Sequence, residues 1–442
     1  MLPSEAAHSS LDLFDRTPLL VTFDDSFCQK IGPVYSPNGP MLEFEVTGDR
    51  NNFIDLQKIF LEVKCKVVKS DGSNLDYDAA DLADADKTNS PYLVNNTLHS
   101  LFSDCTVSAN GLKISNANGH YAHKSFIETE FSHNNDAKKT WLACQGYQFE
   151  NKPDALPTPT ENARKAACHN SAELHYYGRV AVDFFTCDRQ LLNGVTLRIA
   201  FRRSPDDFIV HSDVGTKHYK VHIIEANLYV RKMTVNDNII GSIERTLMKS
   251  PAIYPYFETV SKTFLASTGQ YGWKQEDIFA REPIRRMAIC MTTNSAFVGH
   301  NRTNPFHYQK FDLNQISIYR NGLPVADSPI STVNDKRLYF NTLSDLAYID
   351  NGHGIGLEDY QNHFVMVFDL TSTQQASHDF IHPELTNASI AVELKFTKPL
   401  PDNIEIFIVG EKASTIYIDS DRKISKNMPI KLKQCTKTKS IT

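Results

Sequence analysis

The chain has 442 residues, 41% hydrophobic and 22% charged, a composition that supports large buried cores and excludes a disordered chain. Its net charge is −6, yet seven bases and no acid lie between Arg422 and Thr442, so the preceding chain carries −13 and cannot bind nucleic acid over its whole surface. There is no apolar run long enough to span a membrane, and Met1–Ser10 lacks the basic start and apolar stretch of a secretory signal, so neither a membrane span nor secretion by that route is expected.

Met1 to Pro40 is punctuated by Pro, Gly and Ser and reads as an extended arm. Strands follow at Leu42–Val46 and Phe53–Val68, where Leu61, Val63, Cys65 and Val67 alternate with Glu62, Lys64 and Lys66, giving one buried face and one wet face. The stretch Ser70 to Lys87 holds six aspartates without the spacing of a calcium loop and reads as a solvated loop.

Leu101 to Ser115, LFSDCTVSANGLKIS, is a strand, an Asn-Gly turn and a returning strand. It is echoed at Leu313 to Val325, LNQISIYRNGLPV, at an offset of 211 residues, which sets Asn110-Gly111 on Asn321-Gly322 and Val107 on Ile318. After the first hairpin, His123, Ile127 and Phe131 share one face of a helix within Gly119–His133. His120, His123 and His133 have no accompanying ligand cluster, so no metal is assigned. A proline-bearing loop covers Asn151–Ser171; strands are expected at Gly178–Phe185, Val195–Arg203 (after Asn193-Gly194) and Tyr219–Met233. Asn236 or Asp237 caps an amphipathic helix carrying Ile240, Ile243 and Leu247, ended by Pro251, at the natural midpoint boundary.

The second half repeats the order. Strands are expected at Tyr256–Ala266 and Ile284–Thr292, then the echo hairpin, then a helical stripe of Tyr339, Leu343, Leu346 and Ala347. FVMVFDL (364–370) parallels VAVDFF, SIAVELKF (389–396) parallels VTLRIAF, and NIEIFIV (403–409) closes the copy. Two units of about eight strands, with no helix after every strand, fit an all-β chain of two tandem β-sandwiches with short inserted helices and long loops better than a parallel α/β sheet; eight strands in two facing sheets is the jelly-roll plan, which strand counts alone do not distinguish from other sandwiches. The boundaries follow: arm 1–40, first jelly roll 41–233, linker helix 234–251, second jelly roll 252–421 and basic tail 422–442.

No phosphate loop, dinucleotide fingerprint, HExxH or GxSxG is present, so no enzyme, catalytic residue, cofactor or metal is assigned. The eight cysteines show no paired zinc spacing and read as reduced thiols. The tail residues Arg422, Lys423, Lys426, Lys431, Lys433, Lys437 and Lys439 are candidates for contact with nucleic acid or an inner surface.

Several stretches, in order, resemble the major capsid proteins of Polinton/Maverick elements and adintoviruses: FIDLQKIFLEVKCKVV, VNNTLHSLFSDCTVSANG, GRVAVDFFTCDRQLLNGVTLRIAFRRS, IIEANLYVRKM, NPFHYQKFDLNQISIYRNG and LKFTKPLPDNIEIFIV. The resemblance spans Leu11 to Arg422. It implies membership of the hexon-like double jelly-roll lineage: a homotrimer forming a pseudo-hexameric capsomer, capsomers tiling the icosahedral capsid of a double-stranded DNA virus or virus-like element, and penton and other minor capsid proteins as further partners. It also implies location in the virion, after synthesis in the host cytoplasm and assembly there or in the nucleus; contact of the tail with genomic DNA is expected from its charge alone, since the tail is where this sequence departs from the family pattern. Asn110, Gly111, Asn193, Gly194, Asn321 and Gly322 match turns of that family, and Pro305-Phe306 a loop anchor. The alternative from the residues alone is a tandem jelly-roll protein binding carbohydrate or a receptor. Against it, Trp, the preferred sugar-stacking residue, occurs only at 141 and 273.

Overall fold

The computed structural model describes residues 22–77, 90–150, 159–212, 218–325, 328–332, 336–346, 354–371, 376 and 387–426. In the first half the strands are β1 (Phe23–Ile31), β2 (Met41–Val46), β3 (Asn52–Lys69), β4 (Tyr92–Leu93), β5 (Phe102–Ala109), β6 (Leu112–Asn116), β7 (Leu174–Arg179), β8 (Leu197–Arg203), β9 (Val210–His211) and β10 (Tyr219–Val235). In the second half they are β11 (Ala252–Ala266), β12 (Gly272–Gln275), β13 (Arg286–Thr293), β14 (Leu313–Arg320), β15 (Leu323–Pro324), β16 (Ile330–Ser331), β17 (Val365–Asp369), β18 (Ile390–Phe396), β19 (Ile404–Ile418) and β20 (Ile424–Lys426).

The sheets are β1-β10-β3-β7 facing β2-β8-β5-β6, and β11-β19-β13-β17 facing β12-β18-β14-β15. If the eight principal strands of each half are counted in chain order, both halves read 1-8-3-6 against 2-7-4-5. That shared connectivity is the jelly roll, made twice. The minor strands are additions: β4 pairs β9, β16 pairs β14 and β20 pairs β19.

Each sandwich closes over the faces that alternation selects. In the first, Leu61, Val63, Cys65 and Val67 of β3 oppose Leu197, Ile199 and Phe201 of β8, all essentially inaccessible. In the second, Met287 and Ile289 of β13 and Ile404, Ile406 and Ile408 of β19 oppose Ile316 and Ile318 of β14 and Val392 and Leu394 of β18. Fully burying one such side chain stabilises by roughly 1.5–3 kcal/mol, so these faces fix the register.

Four expectations need correction. Phe23–Ile31, read as arm, is an edge strand on β10, in register from Ser26↔Met233 to Ile31↔Leu228. Its FDDSFCQKI carries no alternation, because the strand is held by the ladder and by polar links such as Lys30 to Glu225 at 3.1 Å, not by a buried face. The sixth principal strand is β7, not the 178–185 segment: after Arg179 the chain turns into a 3₁₀ segment at Asp183–Thr186, so β17 matches LHYYGR rather than VAVDFF. Within the expected loop 151–171, Pro159–Ala167 is helical, with proline where a helix start tolerates it. Ile424–Lys426, expected in the tail, extends the second sandwich through its register with β19.

The helix Tyr121–Ser132 lies in the expected place, as do the midpoint helix Asp237–Leu247, capped by Asn236 accepting from Asn238 N, and the helix Lys336–Leu346. Asp78 to Lys87 of the Asp-rich stretch and Ala347 of the stripe lie outside the described residues.

Candidate functional site

With no reactive constellation in the sequence, the surfaces that join the two sandwiches are the candidate site. The repeated turns come first. Asn110 and Gly111 have φ of 43° and 84°, and Asn321 and Gly322 have 51° and 81°, the paired positive values that a type I′ hairpin demands. Asn110 Oδ1 accepts from Thr196 N at 2.9 Å, just before β8, and Asn321 Oδ1 accepts from Ser389 N at 2.9 Å, just before β18. The turns are therefore equivalent in place as well as in local shape.

The third turn, Asn193-Gly194, lies against Gly48, where an added Cβ would come within 2.6 Å of Gly194 C. Asn193 also donates its amide to Arg50 O at 2.6 Å. On this platform sits Arg422, which closes the β19–β20 turn at φ 61°. Its Nε donates to Asn193 O at 2.9 Å and one terminal nitrogen to Asn193 Oδ1 at 2.8 Å; the guanidinium also forks onto the Glu244 carboxylate of the midpoint helix. Asn110 Nδ2 donates to Arg422 O at 2.9 Å. One residue thus ties the end of the second sandwich to two turns of the first.

Lys426 is similarly committed, donating to Ile114 O at 2.9 Å and to Glu258 at 2.6 Å. Lys423 is exposed, and Lys431, Lys433, Lys437 and Lys439 lie outside the described residues. The sequence marked Arg422 and Lys426 by charge alone. Their docking was not legible, because their acceptors Asn193, Glu244, Ile114 and Glu258 are far away in the chain.

Between the sandwiches runs an aromatic seam. The helix Tyr121–Ser132 of the first half lies across the outward face of β19: His123 stacks on Phe297 at 4.2 Å between centroids, and His120 meets Phe407 at 5.3 Å. Phe126 stacks on Phe306 at 4.2 Å and 2°. Such pairs each add about 0.5–1.5 kcal/mol beyond area burial. His120 also bonds Ser261 Oγ at 2.9 Å and His123 bonds Tyr308 Oη at 3.2 Å. His123 is buried, and burial pushes its imidazole down to about 3, so it is a neutral packing group.

Deeper in the seam, Glu130, almost fully buried, takes the hydroxyl of Tyr147, with Lys138 at 3.9 Å and His363 Nδ1 of the second sandwich at 3.4 Å. His363 Nε2 meets Glu150 O at 2.7 Å, and Arg164 pairs Glu150 at 2.5 Å. The Asp188 to Gly194 segment crosses too: Arg189 donates to Ile253 O, while Tyr254 Oη accepts from Leu192 N and donates to Gln190 O. Sequence reading missed this polar seam, since single Glu, Lys and His residues far apart in the chain carry no local signal.

Beside the helix opens a cavity of about 650 Å³. Ile127, Phe257, Ala288, Val367 and Ala413 supply apolar walls; Lys124, Glu128, Asp183, Asp188, Arg286 and Glu411 supply the charges. Lys124 is spent on Asp183 at 2.5 Å and Arg286 on Glu411 at 2.6 Å. Among the described residues no group of three or more His, Cys, Asp or Glu is arranged to hold a metal ion, and no helix is long and apolar enough to cross a membrane. Burial pushes Cys65 and Cys168 up to about 12, leaving inert thiols.

Neither a protein-family model nor a curated protein sequence matches the chain. Solved structures do. A chain of the Sputnik virophage particle superposes with a TM-score of 0.66 at 12% identity, covering 100% of this chain and 96% of that one. The mavirus major capsid protein gives 0.57 at 9%, covering 97% and 96%, and the Faustovirus major capsid protein 0.55 at 8%, covering 92% of each. The chain has the double jelly-roll fold. At these identities the likeness establishes architecture, and it runs over nearly the full length of each partner.

Proposed function

We propose that this chain is a major capsid protein that trimerises into a pseudo-hexameric capsomer and builds an icosahedral shell around double-stranded DNA, as its resemblance to the Polinton/Maverick and adintovirus capsid proteins implies. The observation that carries the reading is the exact repetition of connectivity in one chain that matches capsid chains from end to end. Two like sandwiches per chain let three chains present six like edges around a threefold. The work of such a protein is done by interfaces.

The seam within the chain is a template for the seam between chains. Inside the chain, the helix after the first hairpin covers the outward face of β11-β19-β13-β17. The counterpart surfaces are open: Phe340 on the helix Lys336–Leu346 is 68% exposed, and Phe60, Tyr177 and Tyr229 form an aromatic group on the outward face of β1-β10-β3-β7, with centroids 5.4 and 5.8 Å apart. The Lys336–Leu346 helix of one copy covers the β1-β10-β3-β7 face of the next. The mature protein resides in the virion capsid, where penton and other minor proteins complete the shell, and it performs no catalysis.

Light scattering on the purified chain, followed by electron microscopy, tests this reading: trimers with a hexagonal outline are expected. Phe340→Asp should release folded monomers. A monodisperse monomer of the unaltered chain at high concentration would overturn the proposal.

A further inference from the structure

We infer that the cavity beside the helix Tyr121–Ser132 is the docking site for the basic segment of the same chain that follows Lys426. The described chain ends pointing at it. β20 runs antiparallel to β19 with Lys426 opposite Ile416, so the next positions pass along Thr415, Ser414 and Ala413, all of which line the cavity. Lys426 is pinned to Glu258, which stands on β11 between the lining residues Phe257 and Thr259. From Ile416 to Glu411 is about 17 Å of strand, a distance that five or six extended residues span. Sixteen residues follow Lys426.

Charge and polarity match as well. With Lys124 and Arg286 neutralised by Asp183 and Glu411, the cavity keeps Glu128 and Asp188 without an ion-pair partner among the described residues. The segment NMPIKLKQCTKTKSIT offers Lys431, Lys433, Lys437 and Lys439, no acid, and the apolar Met428, Ile430 and Leu432 for walls made by Phe257, Ala288, Val367 and Ala413. Burial raises the Glu128 carboxyl above its ordinary value, and a lysine docked beside it would reverse that cost. The inference does not depend on assembly.

The test uses the full chain and a version ending at Lys426. A synthetic peptide of residues 427–442 should bind the shortened protein and not the full chain, whose site is already filled. Glu128→Gln with Asp188→Asn should weaken that binding about tenfold, with the loss shrinking as salt is raised. Thr186 lines the cavity and is exposed, and Cys435 lies in the segment. In Thr186→Cys, a short bismaleimide should therefore join positions 186 and 435 within one chain, in preference to the exposed Cys28 or Cys144. Equal peptide binding to both proteins, or no binding to either, would overturn the inference. So would cross-linking of Cys435 to Cys28 or Cys144, or a full chain that binds duplex DNA as tightly as the free peptide does, since its lysines would then be free for phosphate.

Discussion

The two Asn-Gly hairpins share turn geometry and the bond to the start of the neighbouring strand, yet they live in different surroundings. At the first, the amide of Asn110 is taken by the carbonyl of Arg422, so the tip is clamped by the far end of the chain. At the second, Asn321 has no such partner among the described residues, and Leu323 beyond it is 71% exposed. A local turn code therefore fixes where a hairpin forms, while its role depends on what the rest of the chain brings to it. Within this duplicated fold, the histidines that burial shifts furthest also lie in the first half.

Acid should expose that asymmetry most strongly. His99, His123 and His211, all in the first half, are buried, and burial pushes them down to about 4, 3 and 3. They stay neutral in the folded chain, whereas in the unfolded chain each gains a proton below about 6.5, so stability falls as pH drops from there toward those values. Each costs about 1.4 kcal/mol per pH unit, hence roughly 2 kcal/mol apiece and roughly 6 together at pH 5. Urea midpoints measured from pH 7 to pH 5 should fall steeply, with hydrogen exchange rising first in the first sandwich. A flat midpoint would break the comparison.

Next in size is the clamp. Arg422→Ala removes the fork to Glu244 and both bonds to Asn193, leaving a carboxylate and two Asn193 oxygens, the main-chain carbonyl and Oδ1, without their donor. Because Glu244 remains partly hydrated, the expected loss is about 2–3 kcal/mol. Denaturant unfolding provides the measure, and Arg422→Lys should recover only part, since a point charge cannot reproduce the fork. A neutral Arg422→Ala would mean that the tie between the sandwiches is ornamental.

These contrasts show how far the sequence could be read. Strand alternation and turn chemistry are local, so β3, β8, β10 and both hairpins were legible from their own residues, as was the helix at Asn236. β1 was not, because an edge strand with Asp24 and Asp25 in it is stabilised by the ladder of β10 and carries no apolar period of its own. The seam was hidden for a different reason. Phe126 meets Phe306, and Glu130 meets His363, across more than 150 residues of chain, and a single aromatic or carboxylate does not announce its partner. The charge of Arg422 was visible; that it is consumed inside the molecule was not.

The turns themselves give a smaller effect. Asn110→Ala and Asn321→Ala both place a Cβ-bearing residue of low left-handed tolerance at positive φ, costing about 1 kcal/mol each. Both also lose the acceptor for the strand that follows, but only Asn110→Ala loses the donor to Arg422. The first variant should therefore be the weaker by about 1 kcal/mol, the net worth of one hydrogen bond. Because the bond is to the main-chain carbonyl of residue 422, the difference should persist in the background of Arg422→Ala. Equal losses in the unaltered chain would indicate that Asn110 is not clamped in solution.

Leu323→Ser is expected to have the smallest effect on the folded monomer and is the sharpest probe of what the open hairpin is for. A side chain left 71% exposed has little burial to lose, so unfolding should shift by no more than about 0.5 kcal/mol. Leu112, which stands in the same place after the first turn, is 37% exposed, and Leu112→Ser should cost measurably more. If the second hairpin is a surface held for neighbouring copies, Leu323→Ser will leave the monomer intact and lower the fraction of trimer or of larger assemblies seen by light scattering. Leu112→Ser will reduce stability without that selective loss. Should Leu323→Ser unfold the chain as readily as Leu112→Ser, the two hairpins would have the same role after all, and the asymmetry drawn from Arg422 would be confined to its own few hydrogen bonds.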